Sequence, residues 1–151
     1  MKRTVAVSLI GTQLDQVGKR VDRWGKWRPN VGLCSQEDLI VHQLHMLHDN
    51  HSTRLARNVA LDIQGISPET NVVLHNVNFN DPWDFEEVYS KLYDWCHQYP
   101  FDIENNDYLF HITTGTHVVQ ICSFLLTESG HFPGRLIQTS PDRSKDNKAI
   151  G

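Results

Sequence analysis

A threonine-rich turn at residues 113–117, TTGTH, has the residue types best suited to holding an anion. The apolar run Leu109 to Ile112 before it is typical of a buried strand, and the longer apolar run after it is typical of a helix. A glycine between a strand and a helix lets the backbone approach a ligand, and the first N–H groups of the helix can hold an anion. The candidate ligand-binding residues at this turn are Thr113, Thr114, Gly115, Thr116 and His117.

Two other strand ends carry similar residues. The apolar run Thr4 to Ile10 stops at a Gly-Thr pair, and the short run Arg135 to Thr139 stops at a Ser-Pro pair. Any one such junction is explained as well by residues that end strands and cap helices. Because the carboxyl ends of parallel strands share one edge of a sheet, the coincidence favours a site for phosphate or ribose oxygens. The further candidates are Ser8, Gly11, Thr12, Thr139 and Ser140.

His117 could touch a ligand or act as a general acid or base near neutral pH. We favour contact, since the sequence shows no obvious partner residue for it, and we assign no catalytic residue. Neither G-x-G-x-x-G nor G-x-x-x-x-G-K-[ST] occurs, so the sequence does not support dinucleotide binding or ATP hydrolysis by this chain.

Four histidines recur every three residues, a spacing that could bring metal ligands together on a helix. We interpret the surrounding run, Leu39 to Leu47, as a strand, on which successive members point to opposite faces. A four-ligand metal site is therefore not expected, and we favour histidines that are solvated or lie at the ligand edge. These residues are His42, His45, His48 and His51.

A basic segment, Gly18 to Pro29, carries a net charge of +4 in a chain whose formal charge is −4. Cationic side chains interleaved with tryptophans suit phosphate contacts and base stacking in RNA. Equally, tryptophans often anchor a loop to its own domain, and exposed Lys and Arg need no special role. The candidate RNA-contacting residues are Lys19, Arg20, Arg23, Trp24, Lys26, Trp27 and Arg28.

The composition is that of an ordinary globular domain: 151 residues, 39% hydrophobic and 21% charged. The negative net charge argues against a uniformly basic nucleic-acid surface. Three cysteines without a C-x-x-C pair are expected to be reduced packing residues, and no apolar stretch reaches the ~20 residues that span a bilayer. We therefore expect a cytoplasmic protein, whose polar residues 142–151 resemble a linker.

Strands and helices are predicted to alternate along the chain. The most distinct helix start is Asp81 as cap with Pro82 at the first helical position, while Ser52 is a candidate cap for a helix over Thr53 to Gly65. The segment Val118 to Leu126 is apolar almost all round, which predicts a deeply buried helix. With a strand over Asn71 to Phe79, the order predicts an α/β, Rossmann-like three-layer sandwich with a mostly parallel sheet.

Long strings in the chain resemble the amino-terminal regulatory domain of the RtcR family, sigma-54-dependent activators of RNA-repair genes. The resemblance covers nearly the whole chain and rests on VSLIGTQLD, SQEDLIVHQLHMLHD, ISPET, NDPWDFEEVY, HITTGTHVVQICSFLLTES and LIQTSP. It implies a CARF domain, the CRISPR-associated Rossmann fold, over residues 1–141. Residues 142–151 would then begin the linker to an AAA+ ATPase and a helix-turn-helix DNA-binding domain that this chain lacks.

The resemblance implies a dimeric sensor that binds a nucleotide or RNA end, such as a 2′,3′-cyclic phosphate, and so relieves inhibition of the ATPase. The family's two binding loops match at Gly11 and Thr12 and at residues 113–116, and where many CARF domains have lysine this chain has His117. No cofactor is implied here, since ATP and Mg belong to the ATPase. Two alternatives remain: a ring nuclease that cleaves a cyclic oligoadenylate, or a pure dimerisation module.

Overall fold

Strands and helices alternate, as the apolar pattern predicts. The computed structural model describes residues 2–10 and 28–140. Within these ranges a short 3-10 turn, Asn50–Ser52, precedes the second helix. The elements in chain order are β1 (Arg3–Leu9), α1 (Pro29–Leu33), β2 (Gln43–His48), α2 (Thr53–Ile66), β3 (Asn71–Asn76), α3 (Phe85–Gln98), β4 (Asn106–His111), α4 (His117–Glu128) and β5 (Arg135–Ile137).

The five strands form one parallel sheet in the order β3-β2-β1-β4-β5. β1 lies at the centre, where Val7 pairs with His45 of β2 on one side and Phe110 of β4 on the other. The chain leaves β1 for one half of the sheet and later returns to build the other half. The predicted Rossmann-like α/β architecture is confirmed, and the junction of β1 with β4 is the switch point at which ligands bind in such sheets.

Helices cover both faces of the sheet. On the α3–α4 face, Val5, Val7 and Phe110 pack against α3 and α4 in a core rich in aromatic rings. On the α1–α2 face, the core is mainly aliphatic, with Ala6 and Leu44 packed beneath α1 and α2. Since successive strand residues point to opposite faces, two interdigitated sets of apolar residues build two cores from the same strands.

The predicted start of the third helix is wrong by several residues. α3 begins at Phe85, and its cap is Asp84, whose side chain accepts a hydrogen bond from the Glu86 N–H. The side chain of Asp81 instead accepts from the N–H of Trp83, which forms a turn. The Glu87 carboxylate accepts the N–H groups of residues 80 and 81, so this segment is held as a loop and does not join the helix.

Other boundaries also differ from the prediction. Ser52 directly precedes α2, but it lies in the 3-10 turn and its side chain makes no capping hydrogen bond. The second strand is confirmed but starts at Gln43, and β3 stops at Asn76, where its pairing with β2 ends at His48. The helix α1, Pro29–Leu33, lies in a region where the sequence shows no helical period.

The burial predicted for α4 is corrected by the structure. Val119, Cys122 and Leu126 face the core, while Ile121 is 52% exposed and Phe124 is 47% exposed. Only one side of the helix meets the sheet and α3, so its apolar outer side faces away from the core. Among the described residues, no helix is both long and apolar enough to cross a bilayer.

The cysteines are packing residues, as predicted. Cys34, Cys96 and Cys122 are buried free thiols. Burial raises the pKa of the Cys34 and Cys96 thiols to about 12, which keeps both protonated and unreactive at neutral pH.

Candidate ligand-binding cleft

A cleft of about 460 Å³ opens at the carboxyl edge of the sheet, where β1, β2 and β4 end. This volume lies in the range of small-ligand sites. Its apolar walls are formed by Leu9, Ile10, Leu47, Val77, Phe79 and Val119. Its polar and aromatic rim is formed by His48, Asp49, Ser52, Pro82, Trp83, Thr113, Thr114, Gly115, Thr116 and His117.

The turn at residues 113–117 forms one wall of this cleft, as the sequence predicts. Gly115 adopts a φ of 95°, a backbone conformation that favours glycine. A Cβ added there would also lie 3.0 Å from the Cγ1 atom of Val119, so a larger residue is disfavoured by contact as well. In the described part of the chain, no acceptor takes the backbone N–H groups of Gly115, Thr116, His117 or Val118. Successive N–H groups without acceptors at a helix start are suited to binding an anion.

The threonine hydroxyls of the turn are engaged within the protein. The Thr114 hydroxyl donates to the carbonyl of Leu9 at 2.6 Å, and this side chain is buried. The Thr116 hydroxyl donates to the carbonyl of Pro82 at 2.7 Å and accepts from the N–H of Val119 at 3.1 Å, which caps α4. The turn therefore offers a ligand its backbone, while its hydroxyls fix the shape of the turn.

A buried polar chain supports the turn from below. Ser8 Oγ lies 2.9 Å from His111 Nδ1, and His111 Nε2 lies 2.8 Å from Thr139 Oγ1. The Thr113 hydroxyl accepts the N–H of Thr139 at 2.8 Å, which ties the turn to the end of β5. Burial lowers the pKa of His111 to about 4, so the ring is neutral at pH 7. Ser8 and Thr139 therefore position the turn from inside the protein and are not part of the cleft wall.

His117 occupies the first position of α4, on the cleft rim, and its side chain is exposed. Its ring centroid lies 6.3 Å from that of Trp83, in an edge-on arrangement. Within residues 2–10 and 28–140, no side chain is hydrogen bonded to His117. This position suits contact with a ligand better than proton transfer assisted by a second protein group.

The loop between β3 and α3 forms the opposite rim, which sequence reasoning missed. Pro82 and Trp83 line the cleft, and Trp83 is 60% exposed. The loop is fixed by Glu87, whose pKa is held at about 2 by the N–H groups of Asn80 and Asp81 and by Lys91. The tryptophan beside Pro82 is the signal that could have been used, but the Asp-Pro pair was interpreted as a helix start.

The end of β2 supplies a third side of the cleft, where a histidine at the ligand edge was one of the two expectations but Asp49 was missed. His48 and Asp49 line it, with His48 Nδ1 2.9 Å from the Asp49 carbonyl oxygen, so that this nitrogen carries a proton. One Asp49 carboxylate oxygen is buried without a hydrogen-bond partner in the described structure. The recurring histidines were the available signal.

Two of the four histidines, His45 and His48, lie on β2, and only His45 is neither solvated nor at the edge of the cleft. His45 is buried against His75, with 2.8 Å between Nδ1 and Nε2, and its own Nε2 atom lies 3.0 Å from the hydroxyl oxygen of Tyr99. His48 is buried at the cleft, and His42 Nδ1 accepts the N–H of Thr4. Among the residues described, no three metal-binding side chains are grouped as a metal site requires.

Of the candidate RNA-contacting residues in the basic segment, only Arg28 lies within the described residues. Arg28 is 3% exposed, and its guanidinium donates to the Asp62 carboxylate at 2.7 Å, so the predicted phosphate contact for Arg28 is corrected: the side chain belongs to the core. Ser140 is exposed next to β5 and does not line the cleft. The residues Gly11, Thr12, Lys19, Arg20, Arg23, Trp24, Lys26 and Trp27 lie outside the described residues.

Two solved structures share this fold. One is Enterococcus italicus Csm6 bound to cyclic hexa-2′-fluoro-hexa-dAMP, with a TM-score of 0.71 and 12% identity over 98% of this chain and 37% of that one. The other is Can2 from Sulfobacillus thermosulfidooxidans in complex with cyclic tetra-adenylate, with a TM-score of 0.61 and 15% identity over 93% of this chain and 33% of that one. At such low identity the likeness shows the fold, which is that of a CARF domain.

Sequence comparison identifies the family. The chain is 51% identical over 146 residues to the transcriptional regulatory protein RtcR of Escherichia coli strain K12. The match covers 97% of this chain and 27% of that protein, so the chain spans about a quarter of its relative's length. The model of the family RtcR, regulator of RNA terminal phosphate cyclase, matches residues 2–151. The chain therefore belongs to the RtcR family, and its fold is that of a CARF domain.

Proposed function

We propose that this chain senses RNA ends, and that the cleft holds a terminal nucleotide whose 2′,3′-cyclic phosphate lies on the central turn. The observation that carries the proposal is the row of four backbone N–H groups from Gly115 to Val118, which have no acceptor in the described structure and of which the first three belong to residues that line the cleft. Such N–H groups and the dipole of α4 favour an anion. The family's description, a regulator of RNA terminal phosphate cyclase, supports an RNA end as the signal.

The shape and polarity of the cleft support a nucleotide as the ligand class. Its walls are apolar around Leu47, Val77 and Phe79, while its rim is polar at the turn. The apolar walls suit a base, and the polar rim suits a phosphate. The two structural relatives hold cyclic nucleotide ligands, which supports the same class for this fold. The rim of the turn carries His117 and no lysine, which suits a singly charged cyclic phosphate better than several phosphates.

The output of such a sensor would pass through further domains, since the matched relative is about four times as long as this chain. A ligand shifts a conformational equilibrium only through its different affinities for the two states. In our proposal, the empty domain holds the ATPase inactive, and the occupied domain releases it. The exposed apolar side of α4, with Ile121, Phe124 and Leu125, is the surface through which two copies would pair and transmit this change.

Titration of end-defined RNA tests the proposal. Labelled oligoribonucleotides of one sequence, ending in a 2′,3′-cyclic phosphate, a 3′-phosphate or a 3′-hydroxyl, are added to the chain and followed by fluorescence anisotropy. We expect the cyclic phosphate end to bind most tightly, with a loss of about tenfold or more for the hydroxyl end, as one charge-assisted hydrogen bond is worth ~1.5–3 kcal/mol. Equal affinity for the cyclic phosphate and hydroxyl ends removes end recognition from the proposal.

Two glycines give a matched pair of variants for this titration. Gly115→Ala places a side chain at a φ of 95° and against Val119, which moves the N–H groups of the turn. Gly130→Ala imposes similar strain at a φ of 84° with nothing within 4 Å of the added Cβ, and Gly130 does not line the cleft. We expect only Gly115→Ala to weaken RNA binding beyond its effect on stability, and His117→Ala to weaken it by a smaller factor. Equal binding by both glycine variants would move the site elsewhere.

Cleavage of a cyclic oligoadenylate is the alternative, favoured only by the ligands of the two structural relatives. The side chains considered for it are Thr114 and His117. The Thr114 hydroxyl is buried and already donates to the Leu9 carbonyl, which leaves His117 without a hydroxyl partner from this threonine. Incubation of the chain with labelled cyclic tetra-adenylate decides the matter, since a linear product would establish the activity.

A further inference from the structure

The side chain of Trp83 is not explained by packing. It lines the cleft and remains 60% exposed, although a tryptophan is normally largely buried in a folded protein. It belongs to neither apolar core of the described structure, whereas the next tryptophan along the chain, Trp95, packs against the α3–α4 core. An exposed indole at the rim of a cleft presents an apolar ring face that a ligand can contact.

The backbone that carries Trp83 is held firmly from three sides. The N–H of Trp83 donates to the Asp81 carboxylate at 3.0 Å. The Glu87 carboxylate accepts the N–H groups of Asn80 and Asp81 at 2.7 and 2.9 Å. The Thr116 hydroxyl donates to the carbonyl of Pro82, which joins this loop to the opposite rim. These bonds fix the backbone that carries the indole at the cleft mouth.

The position of Trp83 relative to the anion-binding turn matches the layout of a nucleotide. The indole centroid lies 6.3 Å from the ring of His117, the residue that provides one of the free N–H groups. In a terminal nucleotide only the ribose separates the base from the cyclic phosphate. A phosphate on the turn therefore leaves the base beside the indole and above the apolar wall at Val77 and Phe79.

We infer that Trp83 is the stacking platform for the base of the terminal nucleotide, which makes it a specificity-determining residue of this site. The inference rests on the proposed function and adds base recognition to it. Aromatic side chains stack on the π-face of any base. The affinity contributed by Trp83 therefore depends on whether a base is present and on its size, and not on the hydrogen-bonding groups at its edge. Affinity then follows the stacking surface, with purines above pyrimidines and an abasic ribose lowest.

The test uses the 151-residue chain and four labelled RNA probes that share one sequence and a 2′,3′-cyclic phosphate end. The terminal nucleotide is adenosine, guanosine, uridine or an abasic ribose. For the unaltered chain we expect the abasic probe to bind about tenfold more weakly than the adenosine probe, which corresponds to ~1.4 kcal/mol. Trp83→Ala should lower the affinity for the adenosine probe by a similar factor and leave the abasic probe unchanged.

Two further variants make this result specific. Trp83→Phe keeps a ring that can stack and should recover most of the affinity for the adenosine probe. Ile103→Ala removes a side chain of 57% exposure near the opposite edge of the sheet and should bind all four probes like the unaltered chain. Circular dichroism of each variant shows whether the fold is retained, and Trp83→Phe addresses any Trp83→Ala sample that does not fold.

The outcomes separate the two proposals. Failure of the unaltered chain to bind any probe overturns the proposed function. Binding of the cyclic phosphate probes with equal affinity for the adenosine and abasic ends overturns base stacking and leaves end recognition standing. If Trp83→Ala weakens all four probes equally, stacking is also overturned, and a change in sedimentation would then place Trp83 in a contact between copies.

Discussion

The two faces of the sheet bury polar groups among different kinds of neighbour. On the α3–α4 face, His45 lies among rings, with centroid distances of 5.0 Å to His75 and 4.7 Å to Tyr99. On the α1–α2 face, where the core is aliphatic, Arg28 is paired with Asp62 at 2.7 Å. Aromatic edges and hydroxyls can satisfy a neutral ring, whereas a guanidinium among aliphatic side chains needs an opposite charge.

This difference corresponds to a division of roles at the cleft. The polar groups on the α1–α2 side meet at the end of β1, where the Leu9 carbonyl accepts from the Asn30 amide at 3.1 Å and from the Thr114 hydroxyl. These contacts fix the floor of the cleft. The α3–α4 side supplies the rim, since the loop that carries Trp83 is tied to α3 through Glu87.

The largest effect is expected from removing the buried ion pair. Asp62→Ala takes away the carboxylate that Arg28 contacts in the core, and we expect the free energy of unfolding to fall by about 3–5 kcal/mol. Urea denaturation at pH 7 measures this. Asp94→Ala, on the exposed side of α3, is the matched control and should change the free energy of unfolding by less than about 0.5 kcal/mol. A similar small loss for both variants would mean that the α1–α2 face does not depend on its charge pair.

An intermediate effect is expected from pH, with one histidine on each face. The pKa of His45 is lowered from 6.5 to about 4, mainly by burial and then by the charge of His75, and that of His111 is lowered to about 4 by burial. Above pH 6.5 neither histidine affects stability. As pH falls from about 6.5 towards 4, these two histidines are protonated in the unfolded chain but remain neutral in the folded chain. The free energy of unfolding therefore decreases. At pH 5 we expect a loss of roughly 1–2 kcal/mol for each histidine.

Variants distinguish the two histidines. His45→Gln and His111→Gln should each remove about half of the loss that these two residues cause between pH 7 and pH 5, measured by urea denaturation. His75→Gln should raise the pKa of His45, because it removes a neighbouring positive charge, and leave that of His111 unchanged. Titration of the ring protons by NMR reports both values, and equal shifts at both positions would show that the two faces are coupled.

The smallest effect is expected at the single hydroxyl that joins the two rims. Thr116→Ala removes the cap of α4 and the bond to the Pro82 carbonyl, and should cost about 1 kcal/mol of unfolding free energy. Thr116→Ser retains both bonds and serves as the control. Thermal denaturation of the pair is sufficient, and a Thr116→Ser variant as unstable as Thr116→Ala would assign the loss to the methyl group.

The fold was predictable because its signals are local. Apolar runs mark the strands, and the glycine and threonines that end two of these runs mark the turns, so neither signal depends on distant residues. The helix start at Asp81 was wrong because Asp-Pro begins a helix or a loop equally well. The loop conformation is stabilised by Glu87, whose carboxylate accepts hydrogen bonds from the N–H groups of Asn80 and Asp81.

Much of the cleft could not be predicted because its parts meet only in three dimensions. Trp83 and His48 come together with the turn through strand order and a loop, not through sequence spacing. Ser8 was assigned to the ligand edge, but the pleat points its side chain towards His111. The burial of Arg28 depends on Asp62, which lies 34 positions along the chain.

The central position of β1 has a consequence for synthesis of the chain. β1 precedes the other four strands, and it pairs with β2 from Val5 opposite Gln43 and with β4 from Arg3 opposite Asn106. The β3-β2-β1 half of the sheet can assemble once residue 76 has emerged from the ribosome, but the other edge of β1 waits for residues 106–111. An unpaired apolar edge is a template for other chains. Aggregation is therefore most favoured during this interval of translation. The interval ends when β4 is synthesised and pairs with the free edge of β1.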